Sequence, residues 1–150
     1  MAGGTSGRRK LLAFAPGGAS SNFLPADQAH TPLDFQALDK AGSMLGSGAL
    51  VVVAEGTGLL ALATNVVRFF RNESCGKCVP CRVGTQKAVQ ILEDLLAGQG
   101  SPEQLKLFPE LGETLLLTSI CGLGQVALNP ILSVIRHFPD AVPTPTPVPK

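Results

Sequence analysis

Four cysteines give this sequence its clearest chemistry. Cys75, Cys78 and Cys81 stand three residues apart, and Cys121 follows forty residues later. A [4Fe–4S] cluster has four irons that each take one thiolate, so a C-x2-C-x2-C loop can hold three corners and a remote cysteine the fourth. An isolated cysteine is often a small buried hydrophobe, but three in one glycine- and proline-containing loop are not typical of that role. The spacing therefore favours an iron–sulfur cluster on these four residues.

Two other interpretations of the four thiols stay open from the residues alone. A structural zinc ion can also be held by four cysteines, although these usually come as two well-separated C-x2-C pairs. The chain instead offers a triplet and a singlet, which leaves the third close cysteine harder to explain. The last interpretation is a metal-free structural or interaction module. Metal content separates all three.

The residues around the triplet suit an anionic cluster. Lys77 and Arg82 add positive charge, and N–H groups at the start of a following helix would further stabilise negative charge and raise the reduction potential. The two charges would otherwise be solvated surface groups. Gly76 and Gly122 would let the backbone approach the sulfurs closely, and Pro80 stiffens the loop and suits the first turn of a helix.

Composition and motifs exclude several other functions. The 150 residues carry a net charge of only +1, whereas nucleic-acid binding needs a clustered positive surface. His30 and His137 are isolated, no nucleophile–base pair is present, and the PGGASS stretch at 16–21 lacks the context of a phosphate-binding loop. A module with one cluster and no flavin or nicotinamide site moves single electrons and is not catalytic alone.

No segment predicts secretion or direct membrane insertion. The apolar run Leu11 to Ala15 is too short for a signal peptide, and the uncharged stretches 41–54 and 56–67 are too short to span a bilayer. Four thiols that serve as ligands rather than disulfides indicate a reducing compartment. We therefore expect a soluble cytoplasmic protein that is at most peripheral to a membrane complex.

The chain as a whole predicts an α+β fold in which helices position the cysteines. The expected segments are a flexible N-terminus (1–10), a β-containing segment (11–55), a helical segment of about four helices (57–138) and a proline-rich disordered tail (139–150). If the helices pack antiparallel, both cysteine-bearing connections reach the same end of the bundle.

Apolar periodicity and end signals place the individual elements. Apolar residues at three- and four-residue steps predict helices, and the β-branched run SGALVVV predicts a strand. Ser101, Pro102 and Gln104 form a helix-start signal. The expected elements are a short helix over 34–41, a strand over 47–53, and helices over 57–71, 81–97, 101–117 (kinked at Pro109) and 131–138.

Three stretches resemble a known family. RFFRNESCGKCVPCRVGT (68–85) and SICGLGQVALNPILSVIRHFPD (119–140) resemble the cluster region of the flavoprotein (51 kDa-type) subunit of respiratory complex I. The same region occurs in diaphorase subunits of NAD-linked hydrogenases and NAD-dependent formate dehydrogenases, and CGLGQ looks closer to these. The stretch 16–53 resembles the β-grasp (SLBB-type) segment that precedes the cluster domain.

The resemblance implies a site, a fold and partners. Cys75, Cys78, Cys81 and Cys121 would ligate one [4Fe–4S] cluster in a four-helix bundle that takes electrons from reduced FMN and passes them to further iron–sulfur centres. The family's FMN and NADH sites lie on a large N-terminal α/β domain, so FMN and NAD are expected on a missing domain or on a partner. The expected partners are subunits of the same complex, a flavin-domain donor and an iron–sulfur acceptor.

Size predicts that the two parts of the chain differ in autonomy. The β-containing segment has roughly 45 residues, and pieces of that size rarely fold unaided. Cluster binding would add to the folding free energy of the helices. We predict that the helices form around the cluster, while 1–55 is less well ordered or packs on a partner.

Overall fold

The computed structural model describes residue 5 and residues 9–143. It divides the chain into two compact units, Met1–Gly58 and Leu59–Lys150, called here the sheet unit and the helical unit. Most of the predicted flexible N-terminus and of the predicted disordered tail lies outside the described residues. The first three residues of that tail, Pro139–Ala141, form a 3-10 turn, and the Ala141 N–H donates to the carbonyl of Phe138 at 2.9 Å.

Among its described residues, the sheet unit contains three antiparallel strands. Strand β1 (Leu11–Ala15) lies in the middle, between β2 (Leu24–Pro25) and β3 (Val51–Ala54). The prediction that the strand begins at residue 47 is wrong, because Gly48 adopts a φ of 72° and its N–H closes a turn onto the carbonyl of Leu45. A residue at positive φ leaves the extended conformation that pairing requires.

The described part of the sheet unit also contains one short α-helix. Helix α1 (Phe35–Lys40) begins at Asp34, whose carboxylate accepts from the N–H of Ala37 at 2.8 Å, as expected for an N-cap. Its Leu38 is fully buried against Phe14 of β1 and Leu24 of β2. The structure thus confirms a mixed fold of helices and a small sheet, and the β-grasp layout stays a prediction.

The PGGASS stretch folds as a tight turn, as its composition indicates. Gly18–Ser20 form a 3-10 turn, and the Ser21 hydroxyl accepts from the N–H of Gly17 and donates to the carbonyl of Gly18, both at 3.0 Å. Gly17 packs so closely on the next loop that a Cβ there would lie 2.5 Å from the carbonyl oxygen of Met44. Gly17 therefore allows the backbone of this turn to pack closely on the backbone of the next loop.

Five α-helices form the described part of the helical unit. They are α2 (Leu59–Asn72), α3 (Val79–Leu96), α4 (Phe108–Thr118), α5 (Gly122–Val126) and α6 (Asn129–His137). Helix α5 was not predicted. The predicted 101–117 helix is two elements, a 3-10 helix (Pro102–Leu107) and then α4, with the change just before Pro109. The Ser101–Gln104 capping box is confirmed.

Apolar faces hold these helices together. Helix α2 packs on α3 and α6, and α4 packs on α3, α5 and α6. Gly84 of α3 and Gly112 of α4 lie directly under leucine side chains of the neighbouring helices, Leu115 and Leu132. The antiparallel four-helix layout stays a prediction. Across the described residues, no helix is both long enough and apolar enough to cross a membrane.

Candidate metal centre

The cysteine triplet lies at the junction between α2 and α3. Cys75 belongs to the connecting loop, Cys78 is the extended N-cap residue of α3, and Cys81 lies in the first turn, after Pro80. Gly76 adopts a φ of 73°, which a residue with a side chain rarely takes up. The start of α3 therefore fixes the positions of Cys78 and Cys81. The turn at Gly76 sets the direction of the loop that carries Cys75.

Arg82 closes this loop. Its Nη1 donates to the carbonyl oxygen of Gly76 at 2.6 Å, and the side chain is otherwise exposed. Lys77 is exposed as well. Both positive charges thus stand beside the triplet, as expected from the sequence, and Arg82 has the additional role of holding the glycine turn.

Cys121 lies on the short connection between α4 and α5. Cys121 is the extended N-cap residue of α5, and it is exposed. The carbonyl of Ser119 accepts from Nε2 of Gln125 at 3.2 Å, which ties this connection back to α5. The segment 119–121, called here the Cys121 loop, is therefore held at both of its ends by helices.

The structure brings the Cys121 loop against the triplet. A hydrogen bond from the backbone of Ile120 reaches the Cys78 thiol. Gly124 in α5 packs so closely on the triplet that a Cβ there would lie 2.9 Å from the Cβ of Cys81. Residues forty positions apart in the sequence therefore share one end of the helical unit.

Backbone amides favour the thiolate form of Cys78. The hydrogen bond from Ile120 lowers the pKa of this thiol most, the Cys81 backbone lowers the pKa further, and desolvation opposes them. The thiolate is the form that binds metals. The contact that joins the two loops therefore also lowers the pKa of Cys78, one of the predicted ligands.

The four thiols differ in exposure. Cys81 is buried, with 6% of its surface exposed; Cys78 is half-buried; Cys75 and Cys121 are exposed. A Cβ at Gly122 would meet no atom within 4 Å beyond its chain neighbours, so the approach of its backbone to the sulfurs stays a prediction. A close approach to the triplet occurs at Gly124. No cysteine of the described chain forms a disulfide.

Two serines that sequence reasoning missed also lie at this site. Ser74 Oγ is 3.3 Å from Cys81 Sγ, and it accepts from the N–H of Gly76 at 3.3 Å. Ser119 Oγ is buried and, within the described residues, has no hydrogen-bond partner. Serines adjoining cysteines are common in loops, so only the folded arrangement distinguishes these two.

Four cysteines are a donor set that fits a [4Fe–4S] cluster. Among the described residues, no three histidine, cysteine, aspartate or glutamate side chains form a ready-made group of ligands for one metal ion. Zinc requires four ligands at about 2.3 Å from one centre, whereas a cluster distributes its thiolates over four irons. His30 lies in the sheet unit and His137 on α6, where its ring contacts Phe138.

Comparison with known proteins assigns the helical unit to a family. Residues 61–144 match the family described as the NADH-ubiquinone oxidoreductase-F iron–sulfur binding region. The match contains both cysteine loops. It covers more than half of the chain.

Curated relatives extend the similarity to most of the sequence. An NADH-quinone oxidoreductase subunit of Rhizobium meliloti is 38% identical over 91% of this chain and 32% of its own length. The mitochondrial NADH-ubiquinone oxidoreductase 51 kDa subunit of Neurospora crassa is 39% identical over 85% of this chain and 26% of its own length. The HndC subunit of the NADP-reducing hydrogenase of Solidesulfovibrio fructosivorans is 33% identical over 92% of this chain and 28% of its own length. This chain therefore spans about a third or less of each.

A solved structure supports the same assignment. The crystal structure of an NAD+-reducing [NiFe]-hydrogenase in the H2-reduced state matches with a TM-score of 0.78 and 33% identity, over 87% of this chain and 22% of that one. Family, relatives and fold thus agree with the resemblance expected from the cysteine stretches. The chain belongs to the NADH-ubiquinone oxidoreductase-F iron–sulfur binding region family, whose members serve electron transfer in NAD-linked oxidoreductases.

Proposed function

We propose that this chain binds one [4Fe–4S] cluster through Cys75, Cys78, Cys81 and Cys121 and transfers single electrons within an NAD(H)-linked oxidoreductase assembly. The observation that carries this proposal is the contact between the two cysteine loops, through the Ile120 backbone and Gly124. The contact lies inside the region matched by the family, and it joins the loop of the cysteine triplet to the segment that carries Cys121.

Each residue of the site has a distinct part in this proposal. The cluster supplies one-electron redox chemistry when bound. Cys81, buried in the first turn of α3, provides the fixed ligand, and hydrogen bonds from the backbone of Ile120 and Cys81 lower the pKa of Cys78. Cys75 and Cys121 complete the set from the exposed side. Lys77 and Arg82 offset the negative charge of the cluster with its four thiolates.

The flavin and nicotinamide sites are proposed to lie elsewhere. The relatives are about three times as long as this chain, and hydride chemistry needs a flavin or nicotinamide site. We therefore assign FMN and NAD to a further domain or a partner subunit. On this proposal the chain alone does not oxidise NADH.

The surface beside the cysteine loops suits a partner subunit. Three apolar side chains there are largely exposed: Ile120 and Leu117 at 72% each, and Val79 at 59%. Exposed apolar side chains grouped at one place are typical of protein contacts. The relatives are named as subunits, so an iron–sulfur acceptor of a cytoplasmic complex is the partner that we propose for this surface.

Metal analysis of the anaerobically purified chain tests the proposal. We expect about four iron and four acid-labile sulfide per chain, and an EPR signal after reduction with dithionite. Each single substitution Cys75→Ser, Cys78→Ser, Cys81→Ser and Cys121→Ser should lower the iron content. The matched control is Val83→Ser, an exposed position one turn beyond Val79 on α3, which should retain the iron. One zinc per chain without sulfide would contradict the proposal.

A further inference from the structure

The buried hydroxyl of Ser119 has no partner in the described part of the protein. The residue is only 7% exposed, and its Oγ is shielded from water. Its backbone groups are engaged, because the N–H donates to the carbonyl of Leu115 and the carbonyl accepts from Gln125. Buried hydroxyls in proteins are nearly always hydrogen-bonded, so an orphan requires an explanation.

Ser119 lies next to the buried cysteine. A Cβ built on Gly124 would touch both residues: it would lie 2.9 Å from the Cβ of Cys81 and closer still to Ser119 Oγ. Only the absence of a side chain at residue 124 leaves this space open. The hydroxyl is thus held in a protected space beside Cys81.

Ser74 approaches the same cysteine through a different loop. Its Oγ lies 3.3 Å from Cys81 Sγ, and one of its lone pairs already accepts the N–H of Gly76. A cysteine that ligates a metal has no thiol proton to donate. The proton in this pair must then come from Ser74, so the arrangement makes this serine a donor to the sulfur.

We propose that the hydroxyl of Ser74 donates a hydrogen bond to the sulfur of Cys81, that the hydroxyl of Ser119 donates one to a sulfur of the bound cluster, and that both thereby raise the reduction potential of the cluster. This inference rests on the proposed function, since it needs a cluster at that position. Neither serine is a ligand. Both act on the cluster through the sulfurs that surround it.

Electrostatics gives the direction of the effect. Reduction adds one negative charge to a cluster that is already anionic, and a donor aimed at sulfur stabilises the more negative state more strongly. Hydrogen bonds to the sulfurs and solvent exposure are among the factors that set cluster potentials. Because Ser119 is shielded from water, no solvent molecule replaces its hydroxyl when the side chain is shortened.

A redox titration of the full chain tests this inference. Ser119→Ala and Ser74→Ala should each make reduction about tenfold less favourable, a downward shift of about 59 mV for one electron. Ser119→Thr keeps a hydroxyl, so its reduction potential should stay close to that of the wild-type chain. The matched control is Thr118→Ala, since Thr118 is exposed and bonds the carbonyl of Thr114 within its own helix. The control should keep the wild-type potential.

Iron and sulfide are measured on every sample, which separates the two proposals. A wild-type chain without a cluster would overturn the proposed function itself. Alanine variants that keep their iron and the wild-type potential would overturn only the role of the hydroxyls. Loss of iron from both alanine variants would assign the serines to folding and would also overturn their role. A shift in one variant alone would confine the role to that serine and remove the other from the proposal.

Discussion

The sheet unit and the helical unit are held together in different ways. In the sheet unit, beside the small apolar cluster at Leu38, loops lie backbone against backbone, as at Gly17, and Asn22 Nδ2 donates to the carbonyl of Gly42 at 2.6 Å. In the helical unit, apolar side chains such as Val67 and Ile131 are buried between helices. All four cysteines belong to the helical unit.

This difference between the units indicates that metal binding contributes to the folding stability of the helical unit. The thiols lie on connections between helices or in the first turn that follows one, so a cluster bound there would join elements that otherwise meet mainly through apolar contacts. The sheet unit offers no cysteine and needs no metal for its backbone contacts. Perturbations at the metal site should therefore affect one unit and spare the other.

Removal of the metal should have the largest effect. An iron chelator should destabilise the helical unit by several kcal/mol, because metal-binding free energy adds directly to folding free energy. Hydrogen exchange followed by mass spectrometry should show faster exchange in peptides of α2 to α5. Peptides of β1 to β3 should keep their exchange rates, and equal acceleration in both units would contradict the comparison.

Two controls accompany the chelator experiment. A Cys78→Ser chain, which we expect to lack the cluster, should show no further change when chelator is added. Limited proteolysis of the metal-loaded chain tests the prediction that 1–55 is less ordered than 57–138 or packs on a partner. Equal resistance of the two segments in the isolated chain would count against that prediction.

Gly17→Ala should have the next largest effect, confined to the sheet unit. The new Cβ would lie 2.5 Å from the carbonyl oxygen of Met44 and 2.8 Å from the carbonyl carbon of Leu45. Backbone atoms cannot rotate away, so we expect a loss of about 3 kcal/mol, at the upper end for overpacking. Thermal unfolding measures the loss, and the iron content should not change.

Gly48→Ala serves as the matched control for Gly17. A Cβ at Gly48 meets no atom within 4 Å, but its φ of 72° costs a side chain about 1 kcal/mol. The pair therefore separates steric overlap from backbone strain. A larger loss for Gly48→Ala than for Gly17→Ala would contradict the close packing of the 17–21 turn.

Gly124→Ala should cost about 2 kcal/mol and lower iron retention. Its Cβ would press on Ser119 Oγ and on the Cβ of Cys81, and side chains can yield partly where a backbone cannot. Gly122→Ala, in the same helix, meets nothing within 4 Å and should be nearly neutral. Iron per chain after gel filtration distinguishes the two variants, and equal iron retention would show that the loops do not meet as described.

The smallest effect is expected at the ion pair between α2 and α3. Nε and Nη2 of Arg68 both lie 2.9 Å from Oε1 of Glu93, with side chains 38% and 39% exposed. Solvent screens such pairs, so a double-mutant cycle with Arg68→Ala and Glu93→Ala should give a coupling below about 1 kcal/mol. The more exposed pair of Lys106 and Glu103 should give almost none. A coupling above about 2 kcal/mol would mean that charge, not apolar packing, joins these helices.

Local signals predicted much of the helical unit correctly. The apolar period placed α2 and α3 within two residues of their observed starts, and the Ser101 capping box has the partners that its sequence indicates. Both signals act between residues three or four apart. The four cysteines were likewise evident, because their spacing is itself the signal.

Contacts between distant residues could not be predicted in this way. The hydrogen bond from Ile120 to Cys78 and the position of Ser119 beside Cys81 depend on how helices pack, which no local pattern encodes. Helix α5 has five residues, too few for apolar periodicity to indicate it. The early start predicted for β3 came from composition alone, which does not report the φ of Gly48.

The four cysteines differ in exposure, so the site has a buried side, called here its back, and a water-exposed side, called here its front. Cys81 forms the back, and Cys75 and Cys121 face water. A cluster bound as proposed would assemble inward from the front, and oxidants that attack it would arrive by the same route. In the metal-free chain, limited alkylation followed by mass spectrometry should label Cys75 and Cys121 well before Cys81. A partner that covers the front would protect the cluster from oxygen as well as receive its electrons.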